Sequence, residues 1–307
     1  MIYKIYRSGE NYEIYSYERG GFNAEDCLGD YSGIYERLEN EKKKEDELLP
    51  WETLEQVDRT EERRKQTLRD NAMALKRMAR EYFSGEVFFV TLTFEDNVRD
   101  IDKADRKLKY FIKKLREEYG EVSWIGVREL QKKRNVIHYH LLLKNETILN
   151  YFNYNKIKPP IKKGKYYVGC EKQKEYERFI QSKFWKYGFV KWMKINFVDD
   201  TGAYLCKYMS KGDIEEMKWL ENRRLILKSA DIKKITALDY NQNRDLYDLL
   251  IKNIKVIESI AKDDIKDKVK GKRVFTNGYN SEFAGKVLYY DIHLKRMEKD
   301  DIYGLFS

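Results

Sequence analysis

Two of the chain's three histidines stand in one short segment, Ile137-His138-Tyr139-His140-Leu141. On a β-strand alternate side chains point to the same face, so His138 and His140 can present two imidazoles together. If this strand pairs with the preceding segment through a turn centred on Lys133-Arg134, Glu129 lies beside His138 on that face. Two imidazoles and a carboxylate that leave open coordination positions suit Mn²⁺ or Mg²⁺ acting as a Lewis acid.

The third ligand has two candidates. Gln131 falls on the same strand face as Glu129 and is the alternative to it. A His-x-His pair also arises by chance on half-buried strands that bind no metal. The sequence therefore predicts a metal site whose weight comes from the pairing of Glu129 with the histidines.

A second group of reactive side chains lies downstream, in Asp199-Asp-Thr-Gly-Ala-Tyr204-Leu-Cys-Lys207-Tyr208-Met-Ser-Lys211-Gly212. Asp200 or Thr201 can cap a helix here and Gly212 can end it, which places two phenols and two ammonium groups on one stripe. Nearby lysines favour the phenolate form of a tyrosine, which is the nucleophilic form, and can hold a phosphate. The alternative is a surface helix with ordinary solvated side chains. The four residues of the stripe are Tyr204, Lys207, Tyr208 and Lys211.

The elements around these groups follow from hydrophobic spacing. In residues 85–212 the patterns predict, in order, a strand, a helix capped by Asp100, a hairpin, a helix, a strand and a short helix. Residues 145–165 are predicted as a polar, proline-containing excursion. This order predicts an α+β fold, with an antiparallel sheet and helices packed on one face. Residues 213–307 are predicted to be mainly helical, with two late strands around Asn277-Gly278.

Charge and composition narrow the class of partner. Lysine and arginine total 61 against 52 acidic residues, a net charge of +9, which favours a polyanionic partner such as nucleic acid. An AT-rich genome would raise the lysine content as well. The three scattered cysteines and the lack of a signal peptide or long apolar run predict a cytoplasmic protein without membrane contact.

Three segments together resemble the HUH (His-hydrophobe-His) endonuclease superfamily, specifically the rolling-circle replication initiators of plasmids and single-stranded DNA phages. Phe89-Val-Thr-Leu-Thr-Phe94 is similar to the first motif of that family, His138-Tyr139-His140 to its metal motif, and Tyr204-Leu-Cys-Lys207-Tyr208 to its tyrosine motif. Trp185-Lys-Tyr-Gly188 is similar to a further segment of phage and plasmid members. The tyrosines follow the histidines, as in initiators; in relaxases they precede them.

The resemblance implies an RRM-like nuclease core over residues 59–212, flanked by an extension (1–58) of unknown role and the mainly helical region 213–307. It implies that Glu129, His138 and His140 hold a divalent metal. Tyr204 would be the first nucleophile and Tyr208 the second, and Lys207 would position phosphate. DNA contacts are expected from the basic turn and the end of the tyrosine helix, at Lys132, Lys133, Arg134 and Lys211.

The implied activity is nicking and rejoining of one strand at a single-stranded or hairpin origin through a covalent 5′-phosphotyrosine. A host helicase and polymerase in a bacterial or archaeal cell would complete replication. No G-x-x-x-x-G-K-[ST] motif is present, so no ATP-driven helicase is expected within the sequence. Two alternatives remain: a two-tyrosine transposase with the same chemistry, and a non-catalytic module in which sheet aromatics stack on bases.

Overall fold

The computed structural model describes residues 2–19, 67–131, 136–163, 166–195, 202, 205–206, 223–267, 272–281 and 285–298. The chain divides into two compact units, one formed by Arg63–Lys234 and the other by Met1–Glu62 together with Ile235–Ser307. Both units combine antiparallel sheet with helices, which confirms the α+β class. None of the helices in these ranges is long and apolar enough to cross a membrane.

The central unit is built on a five-stranded antiparallel sheet. Its strands are β3 (Val87–Thr93), β4 (Ser123–Gln131), β5 (Val136–Lys144), β8 (Val190–Ile195) and β9 (Ile226–Lys228). Their spatial order is β8-β3-β5-β4-β9, so the histidine strand β5 lies in the middle. A central strand is held by neighbours on both sides, which fixes the direction of its side chains.

Helices cover the sheet face that carries Tyr139. They are α2 (Ile101–Tyr119), α3 (Glu146–Tyr154) and α4 (Glu171–Lys183). Helix α2 begins as predicted at Asp100, whose side chain accepts a hydrogen bond from the Lys103 amide (3.0 Å), and ends at Gly120. Its stripe of Ala104, Leu108, Phe111, Ile112 and Leu115 is buried in one apolar core with the sheet.

Two elements of this unit differ from the sequence-based expectation. The segment 145–165 is more regular than predicted, since it contains helix α3 and the first strand of a small hairpin of β6 (Ile161–Lys163) and β7 (Tyr166–Val168). The Asn145 side chain caps α3 by accepting from the Ile148 amide (2.8 Å). Upstream of β3, residues 67–82 form helix α1, whose predicted apolar stripe is buried at Leu75, Met78 and Ala79.

The terminal unit has its own four-stranded antiparallel sheet. The strands are β1 (Ile2–Ser8), β2 (Asn11–Tyr17), β10 (Val274–Ser281) and β11 (Gly285–His293), in the order β1-β2-β11-β10. Helices α5 (Arg244–Lys252) and α6 (Ile254–Lys266) share an apolar core with this sheet. The two late strands are present, but Asn277-Gly278 lies inside β10 and the chain does not turn there.

Candidate metal centre

The predicted register of the histidine hairpin is confirmed. Glu129 on β4 pairs with His138 on β5, and Thr91 on β3 pairs with His140. Because side chains alternate along each strand, Glu129, His138 and His140 all project from one face of the sheet. Tyr139 and Arg128 project from the other face, toward α2. The hairpin therefore separates the candidate ligands from the residues that anchor their strands.

The three candidate ligands form one cluster. One ligand atom from each of Glu129, His138 and His140 can be chosen so that all lie within 4.8 Å of one another. The shortest separation, 2.6 Å, joins Nε2 of His140 to Oε2 of Glu129. The His140 side chain is 6% exposed and that of Glu129 19%, so the cluster is shielded on one side and reachable on the other.

This donor set fits a divalent cation. Mg²⁺ binds ligands at about 2.1 Å in octahedral geometry, which puts neighbouring ligand atoms about 3 Å apart. A shift of a few tenths of an ångström in the Glu129 carboxylate brings the 2.6 Å separation to that value. Two imidazoles and one carboxylate suit Mn²⁺ equally well. Three protein ligands leave coordination positions for substrate.

His140 is oriented by two neighbours on β3. The Thr91 hydroxyl lies 3.2 Å from Nδ1, and the Phe89 ring stacks on the imidazole with centroids 5.9 Å apart. If Nδ1 carries the proton and donates it to Thr91, then Nε2 is left as the lone-pair donor on the side of Glu129. Sequence reasoning placed Thr91 in a motif but gave it no role; its register with His140 supplies one.

The alternative ligand, Gln131, lies at the end of β4, two residues from Glu129. Its side-chain oxygen is buried and accepts no hydrogen bond from the described part of the chain. The three-residue cluster of candidate ligands consists of Glu129, His138 and His140, so Glu129 is the third ligand that the geometry favours.

A buried polar network holds the back of the ligand strands. Arg128 donates to both carboxylate oxygens of Asp105 on α2, from Nε at 2.9 Å and from Nη2 at 2.5 Å. The Tyr139 hydroxyl donates to the same carboxylate at 2.7 Å. Burial, reinforced by Asp105, raises the pKa of the Tyr139 hydroxyl, which therefore stays a donor. One carboxylate thus fixes the residue before Glu129 and the residue between the histidines. Sequence patterns gave no sign of this network.

The Trp185-x-x-Gly188 segment acts on the end of β3. The Trp185 indole donates to the Thr93 carbonyl (3.1 Å), and the Glu95 amide donates to the Tyr187 carbonyl (2.9 Å). A Cβ on Gly188 would lie 2.2 Å from the Thr93 carbonyl oxygen, so only glycine allows this approach. This motif therefore holds in place the strand that carries Thr91.

The predicted tyrosine residues, Tyr204, Lys207, Tyr208 and Lys211, lie outside the described residues, as do Lys132, Lys133 and Arg134. Their neighbours in the same segment are described. Residues 202, 205 and 206 are helical. Leu205 is fully buried, and the Cys206 thiol donates to the Ala72 carbonyl of α1 at 3.1 Å. A Cβ on Gly202 would lie 2.6 Å from the Lys76 carbonyl oxygen, so the two helix backbones meet closely there.

The chain that follows the tyrosine segment is fixed to α2. Arg223 donates to both oxygens of Asp102 (2.7 and 2.8 Å), and this hydrogen bonding lowers the pKa of Asp102. The carbonyl of Arg224 accepts a hydrogen bond from Nη1 of Arg128 at 2.7 Å. Arg128 therefore contacts both α2 and the chain leaving the tyrosine segment, one residue away from Glu129.

Comparison with known proteins gives one match. Residues 87–213 match a family of replication-associated proteins, described by its ORF2 members. The matched range starts at β3, contains the whole metal-ligand cluster and continues through Tyr204 and Tyr208. The searches of curated proteins and of solved structures returned no match. The predicted relationship to replication initiators is confirmed over these residues.

Proposed function

We propose that this chain is a metal-dependent DNA-nicking enzyme that initiates rolling-circle replication, because its residues 87–213 match the family of replication-associated proteins. The observation that carries the proposal is the cluster of Glu129, His138 and His140 inside the matched range. A non-catalytic nucleic-acid module has no need for two imidazoles and a carboxylate converging on one partly exposed point.

Glu129, His138 and His140 hold Mn²⁺ or Mg²⁺ in this proposal. A divalent ion bound there supplies Lewis acidity, which offsets charge on the scissile phosphate. Thr91 keeps the His140 ring in the required tautomer, and the Asp105 network keeps both ligand strands in register. These supports are already in place in the protein, which is what preorganised catalysis requires.

Tyr204 supplies the attacking oxygen. Its phenolic oxygen forms a bond to the scissile phosphorus, the bond from phosphorus to the 3′ oxygen breaks, and that oxygen takes up a proton. The products are a 5′-phosphotyrosine and a free 3′-OH that a host polymerase extends. Lys207 favours the phenolate and positions the phosphate. Tyr208, one helical turn away, performs the second transfer that closes the circle.

The DNA is a single-stranded or hairpin origin, and the host supplies polymerase and helicase. Lys132, Lys133, Arg134 and Lys211 contact its phosphates, and nicking needs no ATP. Contacts between cations and phosphates are independent of the metal. Binding and cleavage can therefore be separated by mutation.

The test uses the full chain, a labelled single-stranded oligonucleotide library and Mn²⁺. Wild-type protein is expected to cleave and to become covalently attached to the product. His138→Ala, His140→Ala and Glu129→Ala should lose cleavage and keep DNA binding, while the matched control Gln131→Ala keeps both. Full activity of a His138→Ala/His140→Ala double variant in chelator would contradict the metal assignment. Binding without any cleavage by the wild type would identify a non-catalytic module.

The nucleophile is identified from the covalent adduct. Digestion of the protein–DNA complex and mass spectrometry of the modified peptide should place the adduct on Tyr204. Tyr204→Phe should remove the first nick, whereas Tyr208→Phe should leave the first nick and impair rejoining. An adduct only on Tyr208 would reverse the two roles. An adduct on a tyrosine outside residues 199–212 would overturn the proposed mechanism.

A further inference from the structure

The central unit has a groove away from the metal-ligand cluster. It lies between helix α2 and strands β4 and β9, with a volume of about 620 Å³. Ile112 and the half-buried Trp124 are among the residues that line it. Trp124 pairs with Leu143, which is buried in the α2-side core, so Trp124 points to the sheet face opposite the histidines.

The lining of the groove is strongly basic. Lys109, Lys113 and Arg116 lie at helical spacing on one side of α2, and Lys228 faces them from β9. Of the described lining residues, Glu117 alone is acidic, and it pairs with Lys114 at 2.6 Å outside the lining. Four cations and one carboxylate along a groove favour a polyanionic ligand over an acidic peptide of mixed charge.

Two of the four cations are held in place. Nη2 of Arg116 donates to the Val122 carbonyl (3.0 Å), and Nζ of Lys228 donates to the Ile232 carbonyl (2.6 Å). Each group keeps further N–H donors after these bonds. The Trp124 backbone is fixed as well, since its amide donates to the Ser229 hydroxyl at 3.0 Å and its carbonyl accepts from the Ser229 amide at 2.9 Å. The groove is therefore preorganised.

We propose that this groove binds the single-stranded DNA that flanks the cleavage site, with phosphates on the cations and a base stacked on Trp124. The inference deepens the proposed function and rests on it. A row of cations beside an aromatic ring is the combination that single-stranded nucleic acid uses, because every base has a face that can stack. A duplex holds its bases in the helix and would leave Trp124 without a role.

The position of the groove predicts a length requirement. Trp124 and Glu129 are five residues apart on β4, about 17 Å at strand spacing, and they point to opposite faces. At roughly 3.4 Å per nucleotide, a strand leaving the metal cluster needs at least about five nucleotides to reach the groove. Oligonucleotides shorter than this should bind without its help.

The experiment measures binding of full-length protein to single-stranded oligonucleotides of increasing length in chelator. For long oligonucleotides, Lys109→Gln/Lys113→Gln should lower affinity about ten-fold and reduce the salt slope by about 1.4, two contacts at about 0.7 each. Trp124→Leu should also lose about ten-fold, and Trp124→Phe should stay near wild type. The matched charge control, Lys252→Gln/Lys255→Gln in the terminal unit, should bind like the wild type.

Unfolding curves confirm that each variant is folded, and cleavage of a short oligonucleotide should be equal to wild type in all of them. Equal losses on short and long oligonucleotides, or no loss on either, would overturn the proposal. Tighter binding of duplex that is insensitive to Trp124→Leu would overturn the single-strand assignment. These readouts need no cleavage, so a failure of the nicking mechanism would show separately, as an inactive wild type.

Discussion

The Thr91 hydroxyl lies 3.2 Å from Nδ1 of His140, on the ring edge opposite the nitrogen that meets Glu129. This contact connects strand β3, which carries no candidate ligand, to the ligand cluster. It fixes which nitrogen of His140 holds the proton and which is left to bind a metal.

Loss of the Thr91 hydroxyl should weaken metal binding without unfolding the protein. Thr91→Val keeps the shape of the side chain, so we expect Mn²⁺ affinity to fall about ten-fold, the lower end of the effect of such second partners. Calorimetric titration with Mn²⁺ measures it. Thr147→Val, an exposed position on α3, is the control. Equal Mn²⁺ affinity in Thr91→Val and wild type would show that Thr91 does not orient His140.

Removal of the Asp105 carboxylate should be costly. In Asp105→Ala the Arg128 side chain, 3% exposed, keeps its charge without a counterion, and the Tyr139 hydroxyl loses its acceptor. Breaking such a buried pair costs about 3–5 kcal/mol in the free energy of unfolding. Urea unfolding gives the value. Asp102→Ala removes an exposed partner of Arg223 and should leave stability nearly unchanged. Similar losses in both variants would contradict the anchoring role of Asp105.

Gly188 should not tolerate even one added methyl group. The Cβ of Gly188→Ala would lie 2.2 Å from the Thr93 carbonyl oxygen, so β3 or the chain at 188 must shift. We expect a loss of about 2–4 kcal/mol in unfolding free energy. Gly85→Ala separates backbone strain from crowding, because Gly85 also has positive φ (84°) but no atom within 4 Å of its Cβ. The crowding argument requires the larger loss at Gly188.

Stability should fall at alkaline pH, in part because of Tyr176. Burial raises the pKa of the Tyr176 hydroxyl, so the folded protein keeps this proton where the unfolded chain, with a pKa near 10, releases it. The contribution is fully present below about pH 10 and is lost as pH rises above it. Urea unfolding at pH 9 and 11 should show a smaller decrease for Tyr176→Phe than for wild type. Tyr110→Phe, at an exposed position, should behave like wild type.

The ligand hairpin could be predicted from sequence because its information is local. A short polar turn and alternating apolar residues fix the register, and the register alone brings Glu129 to His138. The Asp105 network could not be predicted this way. Asp105 is 23 residues from Arg128, and helical periodicity does not specify which strand a polar side chain at the edge of a buried stripe will meet.

Other differences have identifiable physical causes. Asn145 and the apolar pair Ile148 and Phe152 are signals for helix α3, but they stand in a segment whose polar composition favoured a loop. Asn277-Gly278 is a strong turn signal, yet pairing of Asn277 with Tyr289 and of Gly278 with Leu288 extends β10 through it. In that case the continuous ladder with β11 outweighs the local preference.

The pairing of β2 with β11 has a consequence for the order of folding during synthesis. Ile14 pairs with Tyr290, so the second strand of the chain finds its neighbour only after nearly 280 further residues have been made. Residues 63–234, by contrast, are contiguous, and their strands pair among themselves. Domains fold as their sequence emerges from the ribosome. The metal-ligand cluster would therefore be assembled while the terminal sheet is still half made, and a ribosome stalled beyond residue 234 would carry a folded central unit with β1 and β2 waiting for their partner.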